Sequence, residues 1–270
     1  MQSMIFAAGL GTRLKPLTDR IPKALVKVGG KPLIEHTIET LKAAGSETIV
    51  VNVHHFSNQI IDYLQSKDFS IDIRISDETM QLLDTGGGIK KAASFFNPFL
   101  PILIHNVDIL SNADLRSLYH HAIRLNKKSG VAALLLVSQR ITKRYLIFNE
   151  AMRLMGWTNV ETGEVKSPFE DIVHLKFDPP YKDKQPNTQH GYRLLAFSGI
   201  HTVSATIFQA MKNYPEKFPI MDFYLKNAKE MNFMGYIKED LKLMDVGKLD
   251  KLCEAEDFIR NGYNLPSSNP

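Results

Sequence analysis

Short apolar runs alternating with longer amphipathic stretches set the rhythm of the first half of the chain. Residues 4–8, 48–53, 71–75, 102–105 and 131–137 are mostly apolar runs of the length a buried strand needs. Between them the apolar spacing switches to the helical period. Residues 32–44 put Leu33, Ile34, Ile38 and Leu41 near one face, open on Pro32 and stop at Gly45, which predicts a helix. Helices are likewise expected around Ile60, Ile61 and Leu64, over 89–96 and over 115–123. Strands and helices in this alternation are βαβ units, so the expected fold class is α/β with a largely parallel, doubly wound sheet. Ligands of such sheets sit beyond the carboxyl ends of the strands, which places the loops after Ala8, Ile75 and His105 in one crevice.

The second half is less regular. Residues 157–171 and the polar, proline-containing stretch 179–191 read as excursions from the sheet: a flap, a small antiparallel patch or loops. A strand is expected over 192–201, helices near Thr206 and over 221–228, and a last helix over 249–259. Residues 1–260 are read as a single domain, with 155–191 as its excursion and 261–270 as a frayed tail.

Composition narrows the function classes. A net charge of +4 over 270 residues suits small anionic substrates. No basic block or interleaved aromatic stripe argues for nucleic acid, and no apolar stretch reaches membrane-spanning length. The lone cysteine, Cys253, excludes an intramolecular disulfide and any Cys-rich zinc cluster, and fits a cytoplasmic location.

The densest local signal follows the first strand: Ala7-Ala8-Gly9-Leu10-Gly11-Thr12-Arg13-Leu14-Lys15-Pro16-Leu17-Thr18. Glycines there let backbone N–H groups approach a phosphate chain, and Arg13 adds a forked, permanently charged donor. Lys23, behind Pro22, offers a second positive charge. Leu14 stands where a dinucleotide fingerprint has its third glycine, and the Gly-Lys-Ser/Thr of a P-loop is missing. The glycines alone would be a tight turn; with Arg13 and Lys23 they read as a phosphate site.

Gly9-Leu10-Gly11-Thr12-Arg13-Leu14, with Pro16-Leu17-Thr18 and Pro22-Lys23, resembles the opening signature of sugar-1-phosphate nucleotidylyltransferases. Ala24 stands where that family usually has a second proline. Three further landmarks follow in the expected order, so the resemblance extends to about Ile259. In Leu83-Asp84-Thr85-Gly86-Gly87-Gly88-Ile89, Thr85 is placed to cap the following helix and the glycines to let backbone lie against a flat ligand. His105-Asn106-Val107-Asp108 ends a buried strand, with Val107 in place of the family's usual glycine; by itself Asp108 would serve equally as a helix cap. Leu243-Met244-Asp245-Val246-Gly247 resembles the family's D-x-G segment, and Phe197-Ser198-Gly199-Ile200 its acceptor-sugar strand.

The resemblance implies a three-layer α/β/α sandwich on a mixed, mostly parallel sheet. It implies Mg²⁺ held by Asp108 and Asp245, and a nucleotide against Ala8, Gly9, Gly11, Thr12, Arg13, Gln81, Thr85, Gly86, Gly87 and Asn106. The sugar is expected against Gly87, Asn106, Ser198 and Gly199. Arg13 would stabilise departing pyrophosphate and Lys23 the oxygens around the reacting phosphorus. The implied partners are a nucleoside triphosphate and a sugar 1-phosphate. Glu78 and Gln81 are candidates to read the base, with UTP favoured. Within the family the likeness is nearest to single-domain uridylyltransferases acting on N-acetylmuramate 1-phosphate. Guanylyl transfer to mannose 1-phosphate, cytidylyl transfer to phosphocholine, and a non-catalytic nucleotide-sugar-binding regulator stay open. His54-His55 and His120-His121 lack metal-site spacing and are taken as structural.

Overall fold

A computed structural model describes residues 1–179 and 187–260. The expected tail 261–270 and residues 180–186 of the second excursion lie outside the described residues. The first half contains β1 (Gln2–Phe6), a short hairpin of β2 (Lys27–Val28) and β3 (Lys31–Pro32), α1 (Leu33–Ala43), β4 (Thr48–Val53), α2 (Ser57–Gln65), β5 (Asp72–Asp77) and α3 (Asp84–Ala92). It continues through β6 (Ile102–Asn106), β7 (Ile109–Ser111), α4 (Leu115–Ser129) and β8 (Val131–Ser138). The second half contributes β9 (Arg144–Phe148), β10 (Leu154–Asn159), β11 (Glu164–Lys166), α5 (Glu170–Val173), β12 (Thr188–Gln189) and β13 (Tyr192–Val203). Then come α6 (Thr206–Met211), α7 (Ile220–Asn227), β14 (Asn232–Ile237), β15 (Leu243–Asp245) and α8 (Lys251–Arg260).

The main sheet runs β5-β4-β1-β6-β13-β8-β14, and only β13 is antiparallel to its neighbours. Period-two alternation along the strands explains the three layers. Ile5, Ile49, Val51 and Leu103 pack with α1, α2 and α4, whereas Met4, Val50, Ile102 and Ile104 pack with α3, α6 and α7. Both faces are therefore apolar, and these strands read as continuous runs rather than as alternating ones.

The excursion is an antiparallel patch continuous with the main sheet, and it begins earlier than the sequence pattern suggests, at β9. The first half of β13 pairs with β9, and β10 and β11 extend the sheet outward. Its small core is Tyr145, Ile147, Ile172, Phe177, Leu194 and Ala196. One long strand thus serves two sheet regions, because a bulge between Phe197 and His201 re-aims it.

Helix α3 departs from its expected bounds, 89–96, by starting at Asp84. Three consecutive glycines are poor helix formers, but the Gly86 and Gly87 N–H groups both donate to Phe218 O, at 2.8 and 3.2 Å. Packing against this neighbouring segment overrides the local propensity.

Candidate active site

The loop after β1 is folded on itself. Gly11 sits at φ 65°, where a Cβ would lie 2.8 Å from Thr18 Cγ2. The Thr18 hydroxyl and the Leu14 N–H both donate to Gly11 O at 2.8 Å, and Leu14 is fully buried beneath. Thr12 and Arg13 are left exposed on this pinned turn. Lys23, in the following single turn, forms an ion pair with Asp108, and both side chains are 13% exposed.

Asp108 and Asp245 come from segments more than a hundred residues apart. Strand β15 pairs antiparallel with β7, placing Asp245 opposite Ile109, and Val246 N donates to Asp108 O at 2.9 Å. Asp108 therefore caps no helix; Asp114 does, accepting from Ser117 N at 2.9 Å. Asp245 Oδ1 is buried without a hydrogen-bond partner. Burial first, and the Asp108 charge second, push its pKa above the ordinary carboxylate value, while Lys23, Arg13 and Arg140 pull it back. The glycine of this segment has a steric role. A Cβ on Gly247 would stand 2.6 Å from Asp245 Oδ1 and 2.7 Å from Arg13 Nη2, so only glycine lets the guanidinium come beside the carboxylate.

A crevice of about 230 Å³ opens at the carboxyl ends of β1, β4 and β6. Of the residues read from the sequence, Ala8, Gly9, Lys23, Thr85, Asn106 and Asp108 line it. So do Glu78, a candidate to read the base, and Asn52, which the sequence reading did not place in the site. Ala7 N donates to Asn52 Oδ1 at 2.8 Å, and Asn52 Nδ2 to Glu78 Oε1 at 2.7 Å. Leu83 N donates to Glu78 Oε2 at 3.1 Å. This chain ties three loops together behind the crevice, and burial raises the pKa of Glu78. The signal in the sequence was Asn52, a lone polar residue inside the run Thr48–Val53.

The glycine-rich segment is built differently from the sequence expectation. Thr85 does not cap α3; its hydroxyl accepts from Ile220 N at 2.9 Å and so caps the start of α7. Gly86 and Gly87 are buried against residues 216–218, where a Gly86 Cβ would meet the Phe218 ring and a Gly87 Cβ the Glu216 carbonyl oxygen. Their lack of a side chain serves helix packing. Gln81 is exposed and, with Gly87, borders a separate depression of about 450 Å³ beside Lys90 and Lys91. Ser198 is buried and its hydroxyl accepts from Ile200 N at 3.2 Å. Gly199, at φ 80°, leaves room for Asn106, whose Nδ2 would be 2.8 Å from a Cβ there. Val107 and Ala24, the two departures from the family signature, are both buried in the core on the α1 side.

Residues 2–149 match the family model described as nucleotidyl transferase. The chain belongs to that family. It is 48% identical over 109 residues to N-acetylmuramate alpha-1-phosphate uridylyltransferase of Caulobacter vibrioides, covering 39% of this chain and 45% of that protein. The chain thus spans about half the length of that curated relative. Against D-glycero-alpha-D-manno-heptose 1-phosphate guanylyltransferase of Campylobacter jejuni it is 28% identical over 247 residues, 92% of this chain and 95% of the other. The crystal structure of HddC from Yersinia pseudotuberculosis shares the fold, with a TM-score of 0.68 at 20% identity over 96% of this chain and 99% of that one.

For a nucleotidyl transferase the donor set at the crevice fits a hard divalent cation. Among the described residues no group of three or more ligating side chains occurs, but Mg²⁺ commonly takes one or two carboxylates and completes its shell with water and phosphate oxygens. An orphaned buried Asp245 oxygen beside a second carboxylate has the stored charge that such an ion neutralises. Among the described residues no helix is long and apolar enough to cross a membrane.

Proposed function

We propose that this transferase moves a uridylyl group from UTP to a hexosamine 1-phosphate, with Mg²⁺, in the cytoplasm. The observation that carries the reaction type is the convergence of Arg13, Lys23, Asp108 and Asp245 from three chain segments, with Lys23 and Asp108 lining the crevice and Asp245 and Arg13 beside them. An oxygen of the acceptor phosphate attacks the α-phosphorus in line. The new P–O bond forms as the bond from the α-phosphorus to the bridging oxygen breaks, and pyrophosphate leaves with that oxygen. The phosphate monoester is already anionic near neutral pH, so no side-chain base is needed. Catalysis consists of positioning and charge neutralisation. Lys23 faces the oxygens of the reacting phosphorus, and Arg13 the departing pyrophosphate. Asp108 and Asp245 would hold Mg²⁺, which would supply charge neutralisation for the phosphates. The pinned turn at Gly11 supplies backbone for the phosphate chain, and Ala8, Gly9, Thr85, Asn106 and Glu78 supply walls for the nucleoside and sugar.

The identity to the Caulobacter vibrioides uridylyltransferase supports UTP and an N-acetylmuramate-type acceptor. Guanylyl transfer is the second reading, supported by the alignment with the heptose 1-phosphate guanylyltransferase over nearly the whole chain. The antiparallel patch around Trp157 flanks the acceptor side; Lys166 Nζ lies 5.3 Å from its ring centroid and keeps the indole covered. The test is a matrix of UTP, GTP, CTP and dTTP against sugar 1-phosphates and phosphocholine, scored by pyrophosphate release. Preference for UTP with a hexosamine 1-phosphate supports the proposal. Preference for GTP or CTP rejects the base assignment, and no pyrophosphate from any pair rejects the reaction.

A further inference from the structure

The reaction brings a dianionic acceptor phosphate against a triphosphate, and Lys23 and Arg13 already have other work. Lys23 is ion-paired with Asp108, and Arg13 is lodged beside Asp245 and Gly247. Both reach the site from the chain that follows β1. Strands β6 and β8 are each antiparallel to β13, so their carboxyl ends share one edge of the sheet with that of β1. Along that edge the order is β1, β6, β13, β8. The aspartate that follows β6 therefore has the β1 loop on one flank, and the segment leaving β8 on the other.

The second residue after β8 is Arg140. Its Nη2 donates to Phe197 O at 2.9 Å, which fixes the side chain over β13 immediately before the Ser198-Gly199 bulge. Among the described residues that is its one hydrogen bond, and it has no ion pair. The residue is exposed at the surface, although its charged end is partly enclosed by protein, which lowers its pKa; among the described residues the other guanidinium donors have no hydrogen-bond partner. A planar fork with unused donors, anchored through a single carbonyl, matches the geometry of a phosphate monoester.

We propose that Arg140 binds the phosphate of the acceptor, holding it on the flank of the aspartate pair opposite Arg13. This rests on the reaction type proposed above and deepens it. The nucleotide then occupies the β1 side and the acceptor the β13–β8 side, with the attacking oxygen between them.

The experiment uses the full chain with Mg²⁺, comparing wild type, Arg140→Ala and Arg140→Lys. Loss of a charged hydrogen-bond donor should raise the acceptor KM by about tenfold or more, leave the UTP KM within about twofold, and be partly restored by lysine. A second arm reads binding without turnover: titration of N-acetylglucosamine 1-phosphate, followed by ³¹P NMR, into protein loaded with a non-hydrolysable UTP analogue. Arg140→Ala should weaken that binding by the same factor with the analogue's affinity unchanged. Unchanged acceptor binding in the alanine variant overturns the proposal. Equal weakening of analogue and acceptor also overturns it, and makes Arg140 only a counter-charge to Asp245. If wild type releases no pyrophosphate but binds the sugar phosphate through Arg140, the reaction proposal fails and the Arg140 site stands. If wild type does not bind it at all, both fail.

Discussion

Gly87→Ala separates two uses of the glycine run, a ligand-facing wall and a packing contact. The new methyl group would overlap the Glu216 carbonyl oxygen, and stand 3.1 Å from Glu216 C and 3.0 Å from Leu83 Cβ. The first two are backbone atoms that no rotamer change moves aside, so the segment before α7 must back away. Overpacking of this kind costs about 1–3 kcal/mol. Backing away also stretches the bonds from Gly86 N and Gly87 N to Phe218 O, each worth about 0.5–1.5 kcal/mol. Alanine returns about 1 kcal/mol through its helix propensity. The balance is a loss of about 2–3 kcal/mol, or roughly 5–10 °C in melting temperature for a chain of this size. Urea titration and calorimetry on the ligand-free protein should show that loss, with the KM for the triphosphate little changed at a temperature where the variant is folded. An unchanged melting temperature together with a several-fold rise in that KM would refute the packing argument and return Gly87 to the nucleotide wall.

Three other substitutions test the site and its surroundings. Asp245→Asn should nearly abolish turnover at saturating Mg²⁺ yet stabilise the ligand-free protein. The Asp245 pKa is raised in the fold, so its ionisation costs stability as pH climbs above the ordinary value of 3.8, and the variant's gain in melting temperature should grow as pH rises above that value; a destabilised variant contradicts this. Gly247→Ala pushes only the ends of flexible side chains, Arg13 and Asp245, so melting should hold while kcat falls by about tenfold to a hundredfold, and wild-type kcat would show that their approach is unimportant. Burial lowers the pKa of His201 to about 3 and of His105 to about 4. Below pH 6.5 the unfolded chain takes up protons that the fold refuses, so stability should fall by about 1.4 kcal/mol per pH unit for each. His201→Phe keeps the ring among Phe6, Phe197 and Tyr224; an undiminished slope between pH 6 and 4.5 in that variant would count against the assignment.

The first-half strands and helices were legible because their periodicity is local and both faces of the sheet are apolar. The loop after β1 was legible for a similar reason: its glycines, Arg13 and Lys23 all lie within residues 9–23, and their chemistry depends little on the rest of the chain. Strands β9 and β14 escaped notice. Tyr145 to Phe148 is a bare apolar run without alternation, and Asn232–Ile237 has a glycine and a mixed pattern that only its pairing with β8 makes a strand. Thr85, Gly86 and Gly87 have a packing part that local spacing does not show: Phe218 and Ile220, more than a hundred residues away, take the two glycine N–H groups and the Thr85 hydroxyl that was expected to cap α3. The sequence by itself determined the chemistry on offer: two carboxylates, a lysine, an arginine and a glycine turn of phosphate size. Only the tertiary structure decided that β15 joins β7, so that Asp245 stands beside Asp108 and Arg13 with an oxygen unsatisfied, and that β13 turns Arg140 toward the same edge. Side-chain charge is a property of a residue, but the energy of bringing like charges together is fixed by strands that pair across the whole length of the chain.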